Sequence, residues 1–362
     1  MTPHMPIAVR PHPSPTPPAQ RALRLENPGF GMVFTDHMVT ATWTAERGWH
    51  DGEVCARAPL TLHPAAAALH YAQEIFEGLK AYRRTDGALV LFRPQENARR
   101  FAHSAERMAM PAVPEPLFLA AIEALVRIDR DWIPDGDGSL YIRPFMVATE
   151  PFLAVRPANQ YLFCVIASPV GAYFKGGAKP IRVWVPAAFS RAAPGGTGSA
   201  KCGGNYAASL LAQAEASRNG CDQVMFLDAA RGRWVEELGG MNAFFVMADG
   251  RLVTPPLGGT ILAGVTRSSI LTLARDSGLV VEERPYSFPQ LRRDAQSGAL
   301  REAFACGTAA VIAAIGEVRH AGGAFTVADG QTGAVTARLR AQLIGLQRGL
   351  VEDRHDWVRR VD

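Results

Sequence analysis

The chain has 362 residues, 48% of them hydrophobic and 20% charged, and a formal net charge of +4. That length exceeds one ordinary core and suggests about two domains. No apolar run approaches the ~18 residues a membrane helix needs, and no Lys/Arg stripe marks a nucleic-acid surface. Cys55, Cys164, Cys202, Cys221 and Cys306 are scattered, odd in number and free of any C-x-x-C pair, which argues for reduced thiols in a cytoplasm and against a zinc site or other metal.

Residues 1–22 hold seven of the 26 prolines and no acid, and read as a disordered tail. Proline at this density forbids the amphipathic helix of a transit peptide. From about residue 28, strand-like and helix-like segments alternate. MVTATW near residue 40, ALVLF at 88–92, SLYIRPFMVAT at 139–149 and YLFCVIAS at 161–168 are β-branched or aromatic runs that predict strands. PQENARRFAHSAERMAM and EPLFLAAIEALVRIDRDWI carry apolar residues at helical spacing. PVGAYFKGGAKP suggests an interdomain linker over 171–180, with one domain at 23–170 and a second at 181–362. Beyond it IRVWVP predicts a strand, and Asn205 is expected to cap a helix that stops at Gly220. DQVMFLDAARGRWVEE and NAFFVMADGRLVTPP predict successive hairpins, the second turning at Asp249-Gly250, and a helix is expected over 266–277. The class is mixed α/β (α+β).

Residues 195–206 read GGTGSAKCGGNY, a single lysine with glycines on both sides. A phosphate-binding G-x-x-x-x-G-K-[ST] loop fails here, because Ala200 replaces the second glycine and Cys202 the hydroxyl. A solvated loop lysine remains the plain alternative.

The segment Glu237–Arg267, ELGGMNAFFVMADGRLVTPPLGGTILAGVTR, resembles the signature of class IV pyridoxal-phosphate aminotransferases. KCGGNYAASL at 201–210 is similar to the lysine segment of the branched-chain aminotransferases in that class. FTDHM at 34–38, YAQEIFEGLKAYR at 71–83, SLYIRPF at 139–145 and GTA at 307–309 extend the likeness. The resemblance implies PLP fold type IV, with a smaller N-terminal α/β domain, a larger C-terminal domain with a β-barrel-like core, and a homodimer. The cofactor, pyridoxal 5'-phosphate, is expected between the two domains.

Under that resemblance Lys201 is the catalytic amine that joins the cofactor's aldehyde. Glu237 stands at the position of the acid beside the ring nitrogen, where a carboxylate favours the protonated ring. Glu236, its neighbour, should point to the opposite strand face. The phosphate is expected at the Val265 and Thr266 amides that open a helix, with Arg100 (rather than Arg99) from the N-x-x-R register of ENARRF and with the Thr308 hydroxyl. Tyr206 is expected on the cofactor's ring oxygen. The substrate pocket implied by resemblance comprises Phe30, Tyr71, Phe76, Tyr141, Tyr173, Gly240, Thr308 and Ala309, with Arg143 for the carboxylate of glutamate or 2-oxoglutarate.

Gly240 removes a threonine hydroxyl that some relatives carry, and Ala310 and Ala313 stand where some animal members have a redox C-x-x-C, so no thiol switch is expected. The activity implied is transfer of the amino group of L-leucine, L-isoleucine or L-valine to 2-oxoglutarate by a ping-pong scheme. D-amino-acid aminotransferase, aminodeoxychorismate lyase and a non-catalytic phosphate-binding module are the alternatives. No nucleic acid, membrane or metal partner is expected.

Overall fold

The computed structural model describes residues 5–171 and 179–361, which form two compact units. The first takes residues up to 173, together with Ala200–Gly203 and the C-terminal stretch from Leu346; the second takes the remainder. The expected linker falls largely on residues 172–178, outside the described residues, as does Tyr173.

The first unit opens with β1 (Ala8–Val9), α1 (Pro18–Glu26), β2 (His37–Thr44) and β3 (Gly48–Ala56). It continues with α2 (Ala67–Tyr71), β4 (Glu74–Phe76), β5 (Leu79–Arg83), β6 (Leu89–Phe92), α3 (Pro94–Arg107) and α4 (Glu115–Ile128). Strands β7 (Ser139–Ala148) and β8 (Gln160–Val170) follow as expected. The sheet runs β1-β3-β2-β8-β7-β5-β6 and ends on the last strand of the chain, with β4 paired to β7. Alternation along β7 buries Leu140, Ile142 and Met146 against the core and leaves Tyr141 and Arg143 on the other face, as a two-residue period requires. Phe101 of α3, Phe118 of α4 and Phe163 of β8 interlock in the core, with ring centroids 5.3 to 6.0 Å apart.

Residues 5–22 depart from the expected disordered tail. β1 pairs with β3, Pro18 opens α1, and Asp36 accepts bonds from the Thr16 amide at 3.2 Å and hydroxyl at 2.6 Å. Proline blocks a helix interior but suits its first turn, and α1 uses it there.

The second unit begins with β9 (Ile181–Val185), α5 (Gly203–Ala207), α6 (Leu210–Arg218), β10 (Gln223–Leu227) and β11 (Val235–Leu238). It goes on through β12 (Asn242–Met247), β13 (Leu252–Thr254), α7 (Val265–Asp276), β14 (Val281–Glu283) and α8 (Phe288–Ser297). Strands β15 (Leu300–Gly307), β16 (Val311–His320) and β17 (Gly323–Thr326) precede α9 (Ala334–Arg348). Six strands close on themselves in the order β11-β10-β9-β16-β15-β12 and back to β11, which makes a barrel. Closure removes the two free edges that an open sheet would expose. Ala243, Phe245 and Met247 of β12 join Ala303 and Ala305 of β15 in one core, while the alternate residues Phe244 and Phe304 stack at 5.0 Å.

Both expected hairpins are present, as β10–β11 and β12–β13. The expected single helix from Asn205 to Gly220 is instead two, α5 and α6, and Asn205 lies inside the first. Its side-chain amide donates to the Thr197 carbonyl at 2.8 Å and its oxygen accepts from the Thr197 hydroxyl at 2.7 Å, so it ties down the glycine loop rather than capping a helix. The C-terminal residues also depart from the expected division. β18 (Val358–Val361) pairs antiparallel with β6 in the first unit, because its register puts Val361 beside Leu89 and buries it.

Candidate active site

Lys201 is reached from the barrel's part of the sequence, yet its backbone is bonded to the first unit. Its amide donates to the Ser104 hydroxyl at 3.0 Å, and its carbonyl accepts from the Phe76 amide at 2.9 Å. Two residues on, the Gly203 amide donates to the Glu74 carboxylate. Ser104 in turn donates to the Arg100 carbonyl at 2.9 Å, which fixes the lysine to α3. A loop pinned this way can present its side chain without a strand or helix of its own.

The side chain enters a charged and aromatic cluster. Its Nζ lies 4.7 Å from the centre of the Phe76 ring. Burial, then the Arg100 and Arg143 cations, push its amine down to about 8, against the pull of Glu77. Ordinary lysine leaves fewer than about one amine in a thousand neutral at pH 7, whereas a pKa near 8 leaves about a tenth. A neutral amine is the form that attacks an aldehyde.

Arg100, taken from the sequence as a phosphate ligand, is held by Glu77, with Nε to Oε1 at 2.6 Å and Nη2 to Oε2 at 2.9 Å. Glu77, Asn97, Ser104 and Glu74 belong to this cluster and were missed from the sequence. Glu77 lies inside the quoted EIFEGLK stretch, but its partner is 23 residues away and no local pattern announces it.

The expected pocket residues Phe30, Phe76, Tyr141 and Arg143 come together. Phe30 and Tyr141 pack edge-on at 5.0 Å, and Arg143 donates to the Tyr141 hydroxyl at 3.1 Å. The Arg143 guanidinium stands 4.8 Å from the Phe76 ring centre. Its Nε is buried without a hydrogen-bond partner among the described residues, which suits an incoming anion. Gly78 is needed for this packing, since a Cβ there would collide with the Tyr141 hydroxyl. Tyr71 is placed elsewhere in the first unit, exposed, with its hydroxyl donating to the Leu153 carbonyl.

The second unit supplies a buried acid. Glu237 of β11 sits 2.6 Å from Arg191 and accepts from the Leu262 amide at 3.0 Å and from Asn242 at 3.2 Å. Arg191 and Asn242 were missed from the sequence. Glu236, the adjacent residue, is also buried; it accepts from the Thr260 hydroxyl, and burial lifts its carboxyl above the usual range. Two neighbouring acids therefore end in different surroundings, one ringed by donors and one nearly bare, as strand alternation requires.

Helix α7 begins at Val265 with both Val265 and Thr266 buried, no side chain capping its first turn and no acid within it. Uncapped amides and the helix dipole leave that end ready for an anion. Gly264 precedes it where a Cβ would strike Asn242. Thr308 and Ala309 follow β15 in the turn to β16, both partly buried. Tyr206 lies in α5, with its ring 3.8 Å from where a Cβ on Gly240 would stand.

The class IV amino-transferase family model matches residues 74–318. The chain belongs to the class IV aminotransferase family. It is 57% identical to a probable branched-chain-amino-acid aminotransferase of Streptomyces coelicolor over 97% of this chain and 98% of that one. It is 53% identical to the branched-chain-amino-acid aminotransferase of Mycolicibacterium smegmatis over 96% of both. Among solved structures, the branched-chain amino acid aminotransferase of Escherichia coli matches with a TM-score of 0.76 and 30% identity, over 90% of this chain and 99% of that one. The branched-chain amino acid aminotransferase of Thermobaculum terrenum in its PLP form matches with a TM-score of 0.71 and 26% identity, over 89% of this chain and 98% of that one.

Class IV aminotransferases depend on pyridoxal 5'-phosphate. Each unit carries groups of the kind that cofactor needs: the first an amine pushed toward neutrality, suited to an aldehyde, and the second a buried carboxylate, suited to a ring nitrogen, and an uncapped helix start, suited to a phosphate. The described residues contain no cluster of His, Cys, Asp and Glu able to hold a metal, and none of their helices is long and apolar enough to cross a membrane.

Proposed function

We propose that this class IV aminotransferase transfers the amino group of L-leucine, L-isoleucine or L-valine to 2-oxoglutarate. The observation that carries the reading is Lys201, a buried amine pushed down to about 8 and set beside an aromatic ring and Arg143. Near-full-length identity of 57% to a relative named for this activity supports the substrate class.

Pyridoxal phosphate, when bound, supplies an aldehyde that joins amines and a ring that accepts charge. Lys201 Nζ is the amine that would hold it, and the same amine, neutral near physiological pH, would take the proton from the substrate's Cα and carry it as base and then acid. Glu237 would keep the ring nitrogen protonated, and Arg191 with Asn242 and the Leu262 amide keep Glu237 in place. Arg100, Thr308 and the Val265 and Thr266 amides would hold the phosphate, and Tyr206 the ring oxygen. Phe30, Phe76 and Tyr141, which come together in the first unit, would line the alkyl pocket. Arg143 orients the distal carboxylate of glutamate and 2-oxoglutarate, which lets one pocket serve both half-reactions.

The protein acts as a homodimer. Leu69, Tyr71, Leu153 and Val155 are large apolar side chains left exposed on the first unit, where a second copy would cover them. Five free cysteines suit a reducing cytoplasm. The test is initial-rate kinetics with leucine and 2-oxoglutarate: parallel double-reciprocal lines are expected, and intersecting lines would contradict the scheme. A D-amino acid product would move the chain to another branch of its class.

A further inference from the structure

Glu77 is completely buried, and a carboxylate in that position is costly unless donors surround it. Four do. Arg100 donates through Nε and Nη2, the Asn97 amide donates at 2.7 Å, and the Gly78 backbone donates at 3.0 Å. An acid needed only to brace α3 would be satisfied by Asn97 and the backbone; this one also follows Phe76, whose amide donates to the Lys201 carbonyl at 2.9 Å, and acts on the lysine amine through space.

The geometry points to Glu77 as a positioning residue of the lysine site, fixing the Arg100 guanidinium and offsetting the positive charge crowded around Lys201. Four groups act on the lysine through space: Arg100 from α3, Tyr141 and Arg143 from β7, and Glu77 from the turn between β4 and β5. Burial and then the two arginines push its proton off, while Glu77, with Tyr141, retains it. Reciprocally, burial works against the Glu77 carboxylate, but Arg100, then Lys201 and Asn97, hold it below its ordinary range. A three-charge arrangement of this kind lets the amine exist in both protonation states near neutral pH, as a group that must accept and return a proton requires. The inference rests on the reading of Lys201 as the cofactor's amine.

The experiment is competitive acetylation of full-length protein freed of cofactor, using acetic anhydride across a pH series with the Lys201 peptide quantified by mass. Wild type should reach half-reactivity near about 8. Glu77→Gln should move that midpoint down by about one pH unit or more, since the Glu77 charge raises the lysine's titration and an opposite charge nearby shifts one by about 1–3 units. Glu77→Asp, which keeps the charge, should restore a midpoint close to wild type. Arg100→Gln should move it up. A Glu77→Gln curve superimposed on wild type in a folded protein would overturn the inference, as would a Glu77→Asp curve shifted as far as Glu77→Gln. Should Glu77→Gln fail to fold, Arg100→Gln decides: an upward shift supports the arrangement and no shift overturns it. Borohydride reduction of wild type with pyridoxal 5'-phosphate separates the two ideas. No label on Lys201 sinks the functional reading, whereas a labelled wild type with an unmoved Glu77→Gln sinks only this inference.

Discussion

The lysine cluster of the first unit and the acid site of the barrel both bury charge, but they treat it in opposite ways. Lys201 is buried, with two arginines against one carboxylate, so its charge is disfavoured by burial first and then by its neighbours. Glu237 is ringed by a guanidinium, a side-chain amide and a backbone amide, so its charge is welcomed. One site makes a nucleophile available near neutral pH; the other preserves an anion. The contrast matches what an aldehyde and a basic ring nitrogen each demand of a protein.

The sharpest break in that contrast comes from Lys201→Ala, which should cut kcat by at least about 10²–10⁴-fold and abolish the borohydride label, measured by steady-state assay and peptide mapping. Glu237→Gln keeps the shape and removes the anion. It should slow turnover by about 10²–10³-fold while the label on Lys201 persists, as expected when a charge stabilises reaction rather than attachment. Arg143→Gln should raise KM for 2-oxoglutarate by about 10–100-fold and leave that for leucine within a few-fold, because a charge-assisted hydrogen bond contributes about 1.5–3 kcal/mol.

The pH dependence of cofactor uptake follows from the lowered lysine. Uptake needs the neutral amine, so its rate should climb about tenfold per pH unit below 8 and level off above, whereas an ordinary lysine would keep climbing toward about 10.4. Stopped-flow absorbance on cofactor-free protein reads this directly. The smallest effect belongs to the N-terminal stretch. Thr16→Val removes the hydroxyl's bond to Asp36 and should cost about 1 kcal/mol of stability in urea unfolding, where a disordered tail would cost nothing.

Much of the fold and part of the site could be read directly from the residues. The amphipathic runs of α3, α4 and α7 and the Asp249-Gly250 turn are local signals, and the structure carries all of them. What escaped was long-range. Ser104 meets Lys201 across 97 positions and Glu74 meets Gly203 across 129, and nothing in the glycine loop says which unit will hold it. β18 was hidden for the same reason, since its pairing with β6 spans most of the chain. Glu77 and Arg191 look like any surface charge until burial forces each to find its partner. The proline-rich start misled because proline was weighed against helix interiors, while α1 places it at a first turn.

Borohydride reduction of the cofactor-loaded protein, followed by peptide mapping, tests the central claim most directly. The chain has four lysines, Lys80, Lys175, Lys179 and Lys201. Lys80 is a demanding control, because burial and the Arg348 charge push its amine down to about 8 as well. The phosphopyridoxyl group is expected on Lys201 alone; finding it on Lys80, or on none of the four, would contradict the assignment.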